Sequence, residues 1–203
     1  MVGYKPITPC PWGDPNGPGD VNKAKQLVQQ SGTAGQKVVV WTNNKDPRPA
    51  IADYLRGVLN QIGYKASVRT LNQTVYFSTV GQKKTDAQIG FTDWYQDFPH
   101  PGDFFGSLLT TDAAKSTPSF NQGFVSDPHI DQQVNQLDAK PPAQAADGWA
   151  ALDKYVNDPQ HAYVAVYGNE QQTAFYSARM NVNSCRAYPH PTFRVDWLML
   201  CLK

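Results

Sequence analysis

Residues 36–71 read QKVVVWTNNKDPRPAIADYLRGVLNQIGYKASVRTL and carry the pattern of a strand, a helix and a second strand. The apolar, β-branched run within 36–42 is typical of a buried strand. From Ile51 to Ile62 the apolar residues recur at helical spacing, and Gly63 is expected to end that helix. The alternating residues 64–71 predict the second strand.

The flanking sequence continues this order of elements. Asp20 is expected to cap a helix that Gly32 ends, and AQIGFTDW (87–94) predicts a third strand. Strands joined by helices imply right-handed crossovers, a mostly parallel sheet with helices on both faces, and therefore the α/β class. Further helices are predicted at 73–80, 102–110, 127–139 and 143–157, and a further strand at 162–168.

The totals exclude several classes of protein. The chain has 203 residues with 18 basic and 17 acidic side chains, a net charge of +1, so a nucleic-acid partner is not expected. Its apolar runs are too short to span a bilayer. The start, MVGYKPITPC, has neither the basic nor the apolar region of an export signal, which we expect to be absent from this chain.

Cysteine and histidine spacing indicates no metal site and no cofactor. Cys10, Cys185 and Cys201 form no Cys-x-x-Cys pair, and the four histidines lie at least 29 residues apart. Two interpretations of the cysteines stay open: buried free thiols, or a disulfide from Cys10 to Cys185 or Cys201.

The segment GFTDWYQDFPHPGDFF (90–105) is the strongest candidate for a site. It follows the third predicted strand, and parallel sheets bind ligands outside the carboxyl ends of their strands. A carboxylate beside an indole, as at Asp97 and Trp94, suits an organic cation or the amino end of a peptide. The alternative is structural: Trp94 would cap the core, and Asp97 would cap the helix at 102.

Motifs for catalysis are missing from the sequence. It contains no Gly-x-Ser-x-Gly, no His-Glu-x-x-His and no Gly-x-Gly-x-x-Gly, so we predict no catalytic residue and no enzyme. Two other hypotheses are kept. A small α/β hydrolase would use the acidic pair Asp93 and Asp97 with a histidine such as His100. A structural or adaptor domain would bury Trp94 and Asp97.

The order of motifs resembles the C-terminal part of the family 5 solute-binding proteins of ABC importers, the dipeptide, oligopeptide and nickel binders. DVNKAKQLVQQSG resembles the family's Asp-x-x-x-Ala-x-x-Leu-Leu helix, and residues 38–71 resemble its strand, long helix and next strand. IGFTDWYQDFPHPGDFF resembles Gly-Trp-x-x-Asp-Tyr-Pro-Asp-Pro-x-x-Phe, with His100 and Phe98 as departures. FNQGFVSDPHIDQQV resembles Asn-x-x-x-Tyr-x-x-Pro-x-Val-Asp.

The resemblance implies a non-enzymatic, two-lobed clamp outside the cytoplasmic membrane, periplasmic or lipid-anchored. It would capture a peptide-like solute and deliver it to a permease. In peptide-binding members the aspartate of Trp-x-x-Asp pairs with the peptide's α-amino group, a role that falls here on Asp97 beside Trp94. The full set of expected ligand-binding residues is Phe91, Trp94, Asp97, Thr42, Asn43 and Asn121.

The resemblance also implies that the chain lacks an N-terminal lobe. Residues 1–19 would be an irregular arm, 20–192 the ligand-binding lobe, and 193–203 a tail that returns toward the hinge and the missing lobe. Both ends would then lie near the hinge, which would favour a bridge from Cys10 to the C-terminal region. We expect the apolar tail to promote self-association.

Overall fold

The computed structural model describes residues 5–14, 16–95 and 97–161, together with Arg179 and Cys201. Its elements, in chain order, are α1 (Val21–Gln30), β1 (Lys37–Asn43), α2 (Arg48–Ile62), β2 (Lys65–Leu71), α3 (Gln73–Val80), α4 (Pro101–Leu109), α5 (Thr111–Lys115), α6 (Pro128–Asp138) and α7 (Pro142–Val156). No helix in these ranges is long and apolar enough to cross a membrane. The strand predicted at 162–168 and, apart from Cys201, the tail lie outside the described residues.

The strand–helix–strand unit forms as the sequence predicts. β1 and β2 pair in parallel, from Lys37 opposite Lys65 to Asn43 opposite Leu71. α2 connects the two strands and packs on both of them. It ends at Gly63, whose φ of 118° is a left-handed conformation that glycine adopts without strain. The α/β class with a parallel sheet is therefore confirmed.

The third predicted strand is much shorter than residues 87–94. It is a single parallel bridge between Ile89 and Val40, with the Trp41 N–H donating to the Ile89 carbonyl at 2.7 Å. The ladder stops there because the Tyr76 hydroxyl takes both backbone groups of Phe91: it accepts from the N–H at 2.9 Å and donates to the carbonyl at 3.0 Å. Backbone groups bonded to a side chain cannot continue a strand pairing.

Two apolar clusters stabilise the described part of the chain. One lies between the sheet and α3 and contains the buried side chains of Trp41, Tyr76 and Val80. The other joins α4, α6 and α7, where Trp149 is 2% exposed, as the helical periodicity of 143–157 predicts. Gly148 lets α7 approach α6 closely, because a Cβ atom there would collide with Leu137.

The N-terminal arm lies along α7 rather than forming a regular element. The Lys5 ammonium pairs with the Asp147 carboxylate at 2.6 Å, and the Trp12 indole donates to the Asn157 carbonyl at 3.0 Å. Cys10 lies between these two anchors as a free thiol, whereas Cys201 is disulfide-bonded. Of the two interpretations that the sequence leaves open for Cys10, the structure has the free thiol, and the bridge from Cys10 that the resemblance would favour is not formed.

Candidate functional site

Three segments of the described chain converge beyond the carboxyl end of β1. They are the last residues of β1, the segment 90–97, which we call the site loop, and the loop 119–127. Tyr76 links the first two, because its hydroxyl lies 3.3 Å from the Trp41 carbonyl and also bonds Phe91. The rings of Trp94 and Phe120 join the last two, with centroids 5.2 Å apart and planes at 70°. Parallel sheets bind ligands outside the carboxyl ends of their strands, so this convergence is a candidate for a ligand site.

The beginning of the site loop is fixed by close packing on α3. Gly90 lies so near this helix that a Cβ atom would be 2.8 Å from the Tyr76 hydroxyl. The Phe91 ring stacks on the Tyr76 ring with centroids 4.4 Å apart and planes 8° apart. The Arg48 guanidinium lies over the Phe91 ring, 4.3 Å from its centroid. Two groups this close cannot share one face of a ring, so Phe91 lies between them and only its edge is available to a ligand.

Trp94 and Asp97 differ in exposure. Trp94 is half-buried, and its indole N–H is buried with no acceptor in the described part of the structure. Asp97 is exposed and forms no ion pair with any described residue. Its main-chain N–H donates to the buried carboxylate of Asp103 at 2.8 Å. This bond fixes the backbone at Asp97 and leaves the side chain open to solvent.

Asp97 does not cap the following helix. The cap of α4 is His100, whose Nδ1 accepts from the Gly102 N–H at 3.1 Å. The carboxylate of Asp97 therefore has no structural bond of the kind that the capping interpretation required.

Thr42 and Asn43 lie at the end of β1 and are buried, with 1% and 0% of their surfaces exposed. The Asn43 Oδ1 accepts from the Lys45 N–H at 3.1 Å, which sets the orientation of the amide. Its Nδ2 is buried without an acceptor among the described residues. In this structure both side chains are withdrawn from solvent.

Asn121 uses its side chain inside the domain. Its Nδ2 donates to the carbonyls of Thr110 at 3.0 Å and Val125 at 2.8 Å, and its Oδ1 accepts from the Val125 N–H at 3.0 Å. These bonds close the loop 119–127 and hold Phe120 against Trp94. The structure thus gives Asn121 the contacts of a loop-closing residue, and the neighbouring Phe120, which is 60% exposed, faces solvent beside Trp94.

The acidic pair required by the hydrolase hypothesis is not assembled. Asp93 is engaged by Arg48, and the His100 Nδ1, besides capping α4, lies 3.5 Å from the Asp138 carboxylate. Within the described ranges His100 bonds neither Asp93 nor Asp97, and no group of histidine, cysteine and acidic residues could hold a metal ion. The hydrolase alternative is therefore not favoured.

A cavity of about 290 Å³ lies between the N-terminal arm and α7. Its lining includes Lys5, Ile7, Thr8, Asp147, Ala150 and Lys154. None of the predicted site residues lines this cavity.

The amino-acid sequence matches the family described as bacterial extracellular solute-binding proteins, family 5 Middle, over residues 2–116, more than half of the chain. The chain belongs to this family. The matched region contains both strands and the whole site loop. A search of curated proteins gave no match.

Several solved structures of larger proteins are similar to this family 5 chain. It is similar to DppA, an ABC transporter-associated periplasmic binding protein from Helicobacter pylori in complex with the peptide STSA, at 22% identity and a TM-score of 0.63; the match covers 77% of this chain and 31% of that one. It is also similar to clavulanic acid biosynthesis oligopeptide binding protein 2, at 25% identity and a TM-score of 0.62, with 70% of this chain and 28% of that one covered. A third similar structure is a dipeptide binding protein from Pseudoalteromonas sp. SM9913 in complex with Met-Leu, at 17% identity and a TM-score of 0.59, with 73% of this chain and 31% of that one covered. The chain thus spans about three tenths of the length of these proteins.

Three side chains at the convergence were missed by sequence reasoning: Arg48, Tyr76 and Phe120. Arg48 is one of three charged residues, with Lys45 and Asp46, in the stretch TNNKDPRP (42–49), and Tyr76 stands beside Phe77, so neither is singled out by its neighbours. Their neighbours are 15 to 45 residues away in the sequence, as for Tyr76 with Phe91 and Arg48 with Asp93. Only Phe120 had a signal in the sequence, because it is the first residue of FNQGFVSDPHIDQQV, the segment that resembles a family motif.

Proposed function

We propose that this family 5 chain is one lobe of a substrate-binding protein of an ABC importer, which captures a peptide-like solute outside the cytoplasmic membrane and delivers it to a permease. Support comes from the family match over residues 2–116 and from the similar structures whose names describe peptide and oligopeptide binding proteins. The family is one of binding proteins, and we propose that the chain has no enzymatic activity. The remaining lobe would be supplied by the rest of the same protein, which the arm (1–19) and the tail (193–203) would join.

The observation that carries the proposal is the carboxylate of Asp97, which has no ion pair among the residues that the structure describes. It is exposed on the site loop, close in sequence to the Trp94–Phe120 ring pair, while the neighbouring Asp93 is neutralised by Arg48. A carboxylate in this setting can accept a charge-assisted hydrogen bond from a peptide α-amino group. The rings beside it would cover the apolar part of the ligand and limit access of water.

One lobe gives only part of the contacts that a closed clamp makes. A complete clamp with a Kd of about 1 μM binds with about 8 kcal/mol, and half of that free energy corresponds to a Kd of about 1 mM. We therefore expect the 203-residue chain to bind peptides weakly. In a complete clamp, whose closure would bury Asp97 and the ligand's amino group, Asp97→Asn should weaken binding by about 2–5 kcal/mol. It should cost about 0.2–1 kcal/mol in this chain, because the carboxylate is exposed.

The test is an NMR titration of the chain with Ala-Ala-Ala and with N-acetyl-Ala-Ala-Ala up to about 10 mM, ten times the Kd expected above. The free peptide should bind more tightly than the acetylated one, and Asp97→Asn should remove the difference. Asp53→Asn, which removes an exposed carboxylate on α2, serves as the matched control and should preserve it. Equal binding of the two peptides by the unmodified chain would remove Asp97 from the site. A submicromolar Kd would contradict the half-clamp.

A further inference from the structure

The Arg48–Asp93 ion pair joins two segments that border the candidate site. Arg48 is the first residue of α2, directly after the β1–α2 loop, and Asp93 lies in the site loop, 45 residues later. The two side chains are 21% and 36% exposed, so both are partly withdrawn from water. The pair is therefore a cross-link between the two carboxyl-end loops of the sheet and less screened than a fully exposed ion pair.

The position of Arg48 is unfavourable without its partners. A helix N-terminus carries a partial positive charge, which disfavours a cation in the first turn. Here Asp93 supplies the opposite charge, and the Phe91 ring supplies a cation–π contact at 4.3 Å. Both partners belong to the site loop. The guanidinium thus makes two different contacts with one short segment, which lysine could not reproduce because it lacks the planar fork.

The pair also determines the charge of the site loop. Asp93 and Asp97 lie four residues apart, and two free carboxylates there would attract any cation. Because Arg48 neutralises Asp93, Asp97 is the carboxylate without an ion pair among the described residues of the loop. The loop then presents one negative charge at a defined position instead of a diffuse acidic surface.

We propose that Arg48 is the positioning and specificity residue of this site: it holds the segment 91–94 in place and restricts cation recognition to Asp97. This inference rests on the proposed function, because it assigns the selectivity of the same site for ligands with a single cationic amino terminus. If the inference holds, removing the charge of Arg48 should strengthen the binding of dicationic ligands, and removing the charge of Asp93 should weaken it. If Arg48 had only a structural role, its replacement would change the affinities for monocationic and dicationic ligands by the same factor.

The experiment compares the full chain with Arg48→Gln, Asp93→Asn and the double variant, using Ala-Ala-Ala and Lys-Ala-Ala as probes in NMR titrations at low salt. The preference is the affinity for Lys-Ala-Ala divided by the affinity for Ala-Ala-Ala. Arg48→Gln frees Asp93 and should raise this preference about two- to fivefold, the range for partly exposed charge pairs. Asp93→Asn leaves Arg48 unpaired and should lower that preference. The double variant should return it to the wild-type value. An unchanged ratio in both single variants overturns the specificity role.

Backbone order parameters of the ligand-free chain test the positioning role separately. In Arg48→Gln the values for residues 92–94 should fall from about 0.8 to below about 0.6, while those of α7 stay unchanged. Unchanged values at 92–94 overturn the positioning role. If the wild-type chain binds neither peptide, the proposed function is contradicted, and these measurements still decide whether Arg48 holds the loop.

Discussion

Replacing Tyr76 by phenylalanine removes one oxygen atom from the junction between the sheet and the site loop. Tyr76 is fully buried, and its hydroxyl accepts from the Phe91 N–H at 2.9 Å and donates to the Phe91 carbonyl at 3.0 Å. Each such bond contributes about 0.5–1.5 kcal/mol net, and a buried donor left unpaired costs about 1–3 kcal/mol. We therefore expect Tyr76→Phe to lower the free energy of unfolding by about 2 kcal/mol.

Urea denaturation at 25 °C followed by circular dichroism measures this loss. The matched control is Tyr54→Phe, which removes the same atom from a side chain that is 71% exposed on α2 and should change stability by less than about 0.5 kcal/mol. A loss at Tyr76 no larger than at Tyr54 would refute the hydrogen-bond explanation of the interrupted strand.

A double-mutant cycle with Gly90 examines the same junction from the opposite side. A Cβ atom at residue 90 would lie 2.8 Å from the Tyr76 hydroxyl, so Gly90→Ala should be destabilising because of this contact. In the Tyr76→Phe background the oxygen is gone, and the cost of Gly90→Ala should fall. Strict additivity of the two changes would show that the hydroxyl is not what excludes a side chain at residue 90.

Two further changes follow from the loops and helices around the site. Asn121→Ala removes the bonds to both backbone groups of Val125 and should lower the free energy of unfolding by about 1–3 kcal/mol. The control Asn135→Ala, on the exposed side of α6, should leave this free energy nearly unchanged. Urea denaturation measures both. A neutral Asn121→Ala would show that the loop closes without this amide. Burial raises the pKa of Asp153, and the hydrogen bond from Asn157 offsets only part of this rise. The buried carboxylate therefore lowers the stability of the folded state at pH values above the raised pKa. Asp153→Asn should therefore raise the melting temperature at pH 7, and this gain should vanish below the ordinary pKa of 3.8; a gain that persists in acid would contradict the burial argument.

The sequence of residues 20–80 predicts its own local structure well. Asp20, whose carboxylate accepts from the Lys23 N–H at 2.9 Å, and Gly63, with its φ of 118°, mark helix ends at the expected positions. The helix predicted at 73–80 occupies those same residues. These features depend on neighbours within a few residues, so periodicity and capping chemistry are sufficient to predict them.

By itself, the sequence determined the α/β class, the family and the segment in which the candidate site lies. The tertiary structure alone decided that the third strand ends after one bridge and that Cys10 stays a free thiol. It also decided that Arg48 neutralises Asp93, whereas Asp97 has no ion pair with any residue that the structure describes. The first and last of these depend on a side chain far away in sequence: Tyr76 interrupts the strand, and Arg48 neutralises Asp93. Local patterns fix backbone conformation, but the choice among partners for a polar group is made only when distant segments are packed together.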